Sequence, residues 1–300
     1  MKLVLLTLAV LYSTCLFAQH QPLEIIYGRK DGMALTMQIL RPTHRNGKAI
    51  ISVVSGGWRS SYDKVAPYVK EAKPLVDRGY TVFLVLHSSV PRYTVDEAAQ
   101  DIQRAIRFVR LHARAYQIDP ESIGIMGASA GGHLALLAAT TNSPVDTTQQ
   151  DPTNRVSARV QAVACLYPPT DFLDFGKPDY NPFTHKAFLK KYNRAAAFDF
   201  KEWDERRKKY VSMKSAEEKT ALLKKLSPVY QVSSDDPPVL LVHGDADPLI
   251  PLQQSELLIS KLKQANVPCE LHIKKGAGHG WDDETEEIKA FADWFDKYLK

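Results

Sequence analysis

Cysteine is scarce in this chain: three among 300 residues, at positions 15, 165 and 269. That is too few for a disulfide-stapled domain, and no CxxC pair or His/Cys cluster has zinc-site spacing, so neither a disulfide framework nor a structural metal is indicated. Glycine and proline together make 33 of 300 residues, which excludes collagen-like and low-complexity classes. An excess of one charge sign is also missing, since 39 Lys and Arg against 34 Asp and Glu leave only +5. So small an excess does not by itself mark a nucleic-acid binder. A mean hydropathy of -0.27 excludes a multi-span membrane protein. What remains, 44% hydrophobic and 24% charged residues, describes a globular chain with one sizeable core.

The one long apolar run follows Met1-Lys2 and extends from Leu3 to Phe17. Fifteen residues are too short to cross a bilayer but suit the apolar core of a secretory leader cut after Ala18, although Leu16 stands where a small residue is usual. The expectation is a signal peptide over residues 1–18, a secreted or periplasmic protein of one domain over 19–300, and no stable membrane insertion once the leader is removed. Cys165 and Cys269 then remain, both in apolar strand-like runs where an unpaired cysteine behaves as a small buried hydrophobe.

Eight strand-like runs (Leu23 to Tyr27, Leu35 to Leu40, Ala49 to Val54, Thr81 to Leu86, Ser122 to Met126, Val160 to Leu166, Pro238 to Val242 and Cys269 to Ile273) alternate with helical patterns. The alternation predicts an α/β fold, a mostly parallel eight-stranded sheet covered on both faces. In the clearest helix, from Val95 to Tyr116, apolar residues repeat at three and four. Residues 172–226 break the alternation, with no convincing strand in fifty-five residues, and read as a helical cap insertion. This segment carries 14 Lys or Arg against 8 Asp or Glu and 10 of the 28 aromatics. Basic and aromatic residues together could serve a nucleic acid; the simpler reading makes the aromatics the packing face of a cap and the cations its wet face.

Gly127-Ala-Ser129-Ala-Gly131 stands between a strand and a helix. Residue frequencies give roughly 0.04 GxSxG matches by chance in a chain of this composition, before the context is required. A sharp strand-to-helix turn with glycine on both sides holds a serine hydroxyl above the sheet edge, and the helix that follows points its N–H groups at the same place. Ser129 is the candidate nucleophile. A serine hydroxyl needs an imidazole base, itself oriented by a carboxylate. His279, in Gly276-Ala-Gly-His-Gly-Trp281 after the last strand, is placed to supply the base. His243 and His272 fall in strand runs as core histidines, and His133 as a packing or capping residue. After the strand Val239 to Val242, Gly244-Asp245-Ala-Asp247-Pro248 offers two carboxylates. Asp247, farther past the strand end, is the better candidate to reach His279, with Asp245 orienting the loop.

GASAGGHLA, HGDADPLIP and GAGHGW, in that order after a run ending in SGGWRSS, resemble the α/β-hydrolase superfamily in its esterase/lipase branch. They are most similar to the acetyl-xylan and feruloyl esterase-like group, BD-FAE. The resemblance covers roughly residues 23–299. It implies a cofactor-free carboxylic-ester hydrolase with Ser129, Asp247 and His279 as triad and the amides of Gly56, Gly57 and Ala130 as oxyanion hole. The implied substrate is a small-molecule or carbohydrate ester, with short acyl, acetyl or feruloyl groups, and no nucleic-acid partner. The family usually has His-Gly-Gly-x-Trp at this loop, whereas aligned on Trp58 this chain has Val54 and Ser55 in place of the His and the first Gly. Losing the histidine that braces the loop is expected to loosen it. Two alternatives stay open: a serine peptidase of the same superfamily, and a non-catalytic binding module on this fold.

Overall fold

The computed structural model describes residues 23–141, 144–213 and 215–300. The leader expected over residues 1–18 lies outside them. Among the described residues no helix is long and apolar enough to cross a membrane.

The described residues form ten strands: β1 (Leu23–Lys30), β2 (Met33–Leu40), β3 (Ala49–Val53), β4 (Thr81–Val85), β5 (Ile123–Ala128), β6 (Ala162–Leu166), β7 (Lys201–Asp204), β8 (Lys209–Ser212), β9 (Val239–Gly244) and β10 (Cys269–Lys274). The helices are α1 (Val65–Glu71), α2 (Lys73–Asp77), α3 (Val95–Leu111) and its short continuation α4 (Ala113–Tyr116), α5 (Ala130–Thr140), α6 (Lys186–Lys191), α7 (Ala216–Lys225), α8 (Gln253–Gln264) and α9 (Thr285–Tyr298). Eight strands join in one sheet of order β1-β2-β4-β3-β5-β6-β9-β10. β2 runs antiparallel to both β1 and β4, and every pairing from β4 to β10 is parallel. This is the eight-stranded, mostly parallel sheet expected of an α/β-hydrolase.

The inner strands β3, β4, β6 and β9 are buried at every position. Helices cover both faces, so these strands read as continuous apolar runs rather than as alternation. One core contains side chains of α3, α5 and α8; the other, on the opposite face, contains those of α2 and α9. α3 begins with a capping box, in which the Glu97 carboxylate accepts the Thr94 N–H at 2.8 Å. It buries Ala98, Ile102, Ala105, Ile106 and Val109, the spacing of one helical face. α5 is buried at all its positions, because the sheet, α3 and the insertion enclose it.

Two expectations fail. The insertion is not purely helical: besides α6 and α7 it contains the β7–β8 hairpin, an antiparallel pair apart from the main sheet. Its strands carry charges on both faces and bury no apolar row, so the signal of a core strand is absent. The pair is held instead by a cross-strand Trp203–Tyr210 contact, ring centroids 5.2 Å apart, both residues exposed. The cap-packing assignment does suit Phe172, Phe175, Phe183, Phe198 and Phe200, all buried. His272 is not a core residue; β10 is an edge strand, and His272 is exposed beside Glu270. Of the two cysteines among the described residues, Cys165 is fully buried and Cys269, on the same edge strand as His272, only partly; both are free.

Candidate active site

The loops that follow β3, β5, β6, β9 and β10 emerge at one edge of the sheet, the carboxyl ends of the parallel strands, where ligands of open α/β sheets bind. β5 ends at Ala128, and Ser129 turns the chain directly into α5 with φ 53° and ψ -121°. A non-glycine residue in this region costs about 1–3 kcal/mol and persists only where its neighbours over-determine it. Here the Ser129 N–H donates to the Leu166 carbonyl and its own carbonyl accepts the His133 N–H, each at 2.9 Å. The flanking glycines are steric requirements. A Cβ on residue 127 would lie 2.5 Å from the carbonyl carbon of Gly131, and one on residue 131 would lie 2.8 Å from the Val53 oxygen.

Ser129 Oγ lies 2.8 Å from His279 Nε2, and His279 Nδ1 lies 2.7 Å from Asp247 Oδ2. The structure therefore brings these three candidates into one hydrogen-bonded row. The second oxygen of Asp247 accepts the N–H groups of Leu249 (2.8 Å) and Ile250 (2.9 Å). Burial alone would raise this carboxyl, but hydrogen bonds from the His243 and His279 side chains and the Ile250 amide hold it well below the usual carboxylate range. Asp245 is elsewhere, accepting the Gly276 N–H at 2.6 Å at the root of the histidine loop. Gly244 lets that loop close on the end of β9, because a Cβ there would stand 2.2 Å from the Ala277 oxygen.

Several neighbours were not singled out by sequence reasoning. His243 is a satisfied core histidine, yet it also touches the acid. Its Nε2–H donates to the Ile250 carbonyl at 2.9 Å and stands 3.4 Å from Asp247 Oδ2, while Nδ1 accepts the Ser255 hydroxyl at 2.7 Å. The i, i+4 step from 243 to 247 at a strand end is the one sequence signal for it. Tyr167, just past β6, packs its ring 4.7 Å from that of His279 and donates its hydroxyl to Glu284 at 2.6 Å.

The loop after β3 is braced without a histidine at position 54. His87, delivered by the chain after β4, donates from Nδ1 to the Ser88 carbonyl at 2.7 Å, which leaves Nε2 to accept the Ser55 hydroxyl at 2.9 Å. Tyr68 bonds the Ser55 backbone, and the Ser60 hydroxyl donates to the Val54 carbonyl at 2.6 Å. Trp58 Nε1 donates to His133 Nδ1 at 3.1 Å, and His133 Nε2–H in turn donates to the Leu226 carbonyl at 2.7 Å, tying the loop to the end of the insertion. The expected loosening at Val54 is thus met by an imidazole from a neighbouring strand. Of the three amides implied for an oxyanion hole, Gly57 and Ala130 border the same cavity as Ser129. The Gly56 N–H is committed to the Arg59 carbonyl at 3.0 Å. We expect His87→Ala to lower kcat about tenfold with KM little changed, because the loop loses its brace rather than a substrate contact. Steady-state kinetics would show this, and an equal rise in KM would contradict it.

Burial holds both His87 and His133 down to about 4. Between their ordinary value of 6.5 and 4 the unfolded chain binds the protons that these rings refuse, so stability is complete above pH 6.5 and is lost as pH falls toward 4, by about 3 kcal/mol for each ring. Glu71, pushed up from 4.5 to about 7 by burial and by Glu284, acts in the opposite sense over that interval. The thermal midpoint should therefore drop on acidification from pH 6.5 to 4, and Glu71→Gln, lacking the offset, should make the drop steeper. Calorimetry across that range checks both signs.

The BD-FAE family model matches residues 37–262. The chain is 30% identical over 247 residues to a probable carboxylic ester hydrolase, LipM, of Mycobacterium tuberculosis, covering 80% of this chain and 50% of that one. It is 30% identical over 110 residues to an acetylxylan esterase of Xylanibacter ruminicola, covering 37% of this chain and 22% of that one. The chain spans about half the length of the M. tuberculosis relatives it matches. Among solved structures, a truncated carbohydrate esterase from gut microbiota superposes with a TM-score of 0.73 at 25% identity, covering 93% of this chain and 96% of that one. With the strand-turn-helix at Ser129, the sheet order and the family match agreeing, the chain belongs to the BD-FAE family and has the α/β-hydrolase fold.

Proposed function

We propose that this chain is a serine carboxylic-ester hydrolase in which Ser129 attacks the ester carbonyl, His279 takes and returns the proton, and Asp247 holds the imidazole in its working tautomer. The observation that carries the proposal is the unbroken row from Ser129 Oγ through His279 to Asp247, 2.8 and 2.7 Å long. Attack forms a C–O bond from Oγ to the acyl carbon, and collapse of the tetrahedral intermediate expels the alcohol with the proton carried by His279. Water, deprotonated by the same ring, then releases the acid and restores the hydroxyl. The amides of Gly57 and Ala130, the latter at the first position of α5 where no intrahelical carbonyl can claim it, would stabilise the oxyanion.

The substrate we propose is a short acyl ester of a carbohydrate, met outside the cytoplasm. The similarity to a carbohydrate esterase and an acetylxylan esterase supports the sugar, and the apolar leader-like run supports the location. The cavity beside Ser129 is small, about 30 Å³, and walled by Phe175, Phe183 and Phe188, which supports a short acyl group. Side-by-side turnover of acetylated xylan, methyl ferulate and p-nitrophenyl acetate tests this, with acetyl release expected to dominate. A fluorophosphonate should label the protein at Ser129; absence of labelling would favour a non-catalytic binding module, and preference for aminoacyl amides would favour a peptidase.

A further inference from the structure

Three cations surround the turn at Gly56 and Gly57. The Arg194 guanidinium, from the insertion, lies where a Cβ on residue 57 would stand 2.2 Å from its Cζ and 2.5 Å from each terminal nitrogen. Lys64 Nζ approaches Gly56 in the same way, 3.0 Å from where a Cβ would be. Arg59 closes the turn through its backbone and is near enough to Arg194 for their charges to repel. A side chain at position 57 would push the guanidinium aside, and the φ of 59° there is one that favours glycine.

None of the three cations has a carboxylate within ion-pair distance among the described residues. Among the described residues the guanidinium of Arg194 has one hydrogen bond, a long one of 3.5 Å to the Asn193 carbonyl. Burial and the charge of Arg59 both hold this guanidinium below its ordinary value. Structural arginines are ordinarily paired where they lose water, since a planar fork of donors is costly to leave empty. Arg194 also lines the small cavity with Ser129, Ala130 and Gly57, and its guanidinium lies over Gly57 at that site. The insertion as a whole has 14 Lys or Arg against 8 Asp or Glu, a field of the same sign around the site.

Building on the esterase reading above, we infer that Arg194, with Arg59 and Lys64 around it, is an anion-recognition site, and that the preferred substrate carries a carboxylate close to its ester bond. That carboxylate has two chemical sources, an acidic sugar on the alcohol side or a dicarboxylic acyl group, and a bidentate guanidinium pair serves either.

Two matched pairs of esters test the inference and tell the sources apart. For the acyl side, the p-nitrophenyl monoester of succinic acid is compared with p-nitrophenyl butyrate. For the alcohol side, an acetylated methyl glucuronoside is compared with the acetylated methyl glucoside. The readout is the ratio of kcat/KM, anionic over neutral, in the protein and in R194Q and R194K. A charge-assisted pair predicts a ratio of about ten or more in one arm, shrinking toward one in R194Q, partly kept in R194K, and falling with added salt. A ratio near one in both arms while the neutral esters are hydrolysed, or a ratio unchanged in R194Q, overturns the inference alone. No hydrolysis of any of the four esters overturns the esterase reading beneath it. The ratio in the unaltered protein and its salt dependence stand even if a variant folds poorly.

Discussion

Ser129→Ala is expected to bring hydrolysis of p-nitrophenyl acetate close to the uncatalysed rate, a loss of about a million-fold in kcat by comparison with serine-protease nucleophiles. The substitution removes one oxygen at a site where the backbone is set by its surroundings. Ser129 is bonded through its N–H to Leu166 and through its carbonyl to His133, and alanine keeps both bonds. The φ of 53° is no harder for alanine to hold than for serine. The variant should therefore fold with an unchanged thermal midpoint while the relay loses its first member. Residual turnover within tenfold of the parent would remove Ser129 from the mechanism and with it the proposed covalent intermediate.

Asp247→Asn should lower kcat by about 10⁴-fold, and Asp245→Asn by less than tenfold. The asymmetry follows from what each oxygen touches. Asp247 Oδ1 accepts two backbone N–H groups, from Leu249 and Ile250, at 2.8 and 2.9 Å, and an asparagine there must aim its carbonyl at them. Its amide NH₂ would then face His279 Nδ1, which can meet a donor only with its lone pair. The ring proton is forced onto Nε2, the atom that must accept from Ser129. The wrong tautomer, rather than lost packing, disables the base. Asp245 accepts only the Gly276 N–H, at 2.6 Å, which an asparagine carbonyl can also do. Equal losses in the two variants would show that the loop's position matters and that the orientation of the imidazole does not.

How much of this was legible in the chain can be judged residue by residue. The nucleophile turn is a local steric object. Gly127, Ser129 and Gly131 lie within five residues of one another, and the close approach of their backbones requires that spacing. The order of Ser129, Asp247 and His279 is likewise a sequence property, since each follows a strand whose apolar run marks it. Long buried strands and the α3 stripe were legible for the same reason, as repeated patterns of burial. The hairpin at β7–β8 was not, because a two-stranded ribbon apart from the core imposes no apolar period. His272 was misplaced because an apolar run does not say whether its strand is central or at the edge.

Linear order decided the fold class and the strand alternation and marked Ser129, Asp247 and His279 as candidates, because helix period, strand burial and glycine contacts act over a few neighbours and leave their mark in the order of residue types. Tertiary structure alone decided that His87 replaces the brace missing at Val54, that His133 ties Trp58 to Leu226, and that Arg194 stands over Gly57. Each of those pairings spans a gap that no local pattern crosses: 32 residues from Ser55 to His87 and 93 from His133 to Leu226. Such contacts are set by where the sheet and the insertion bring the chain, and the chemistry of an imidazole or a guanidinium becomes specific only when its partner arrives.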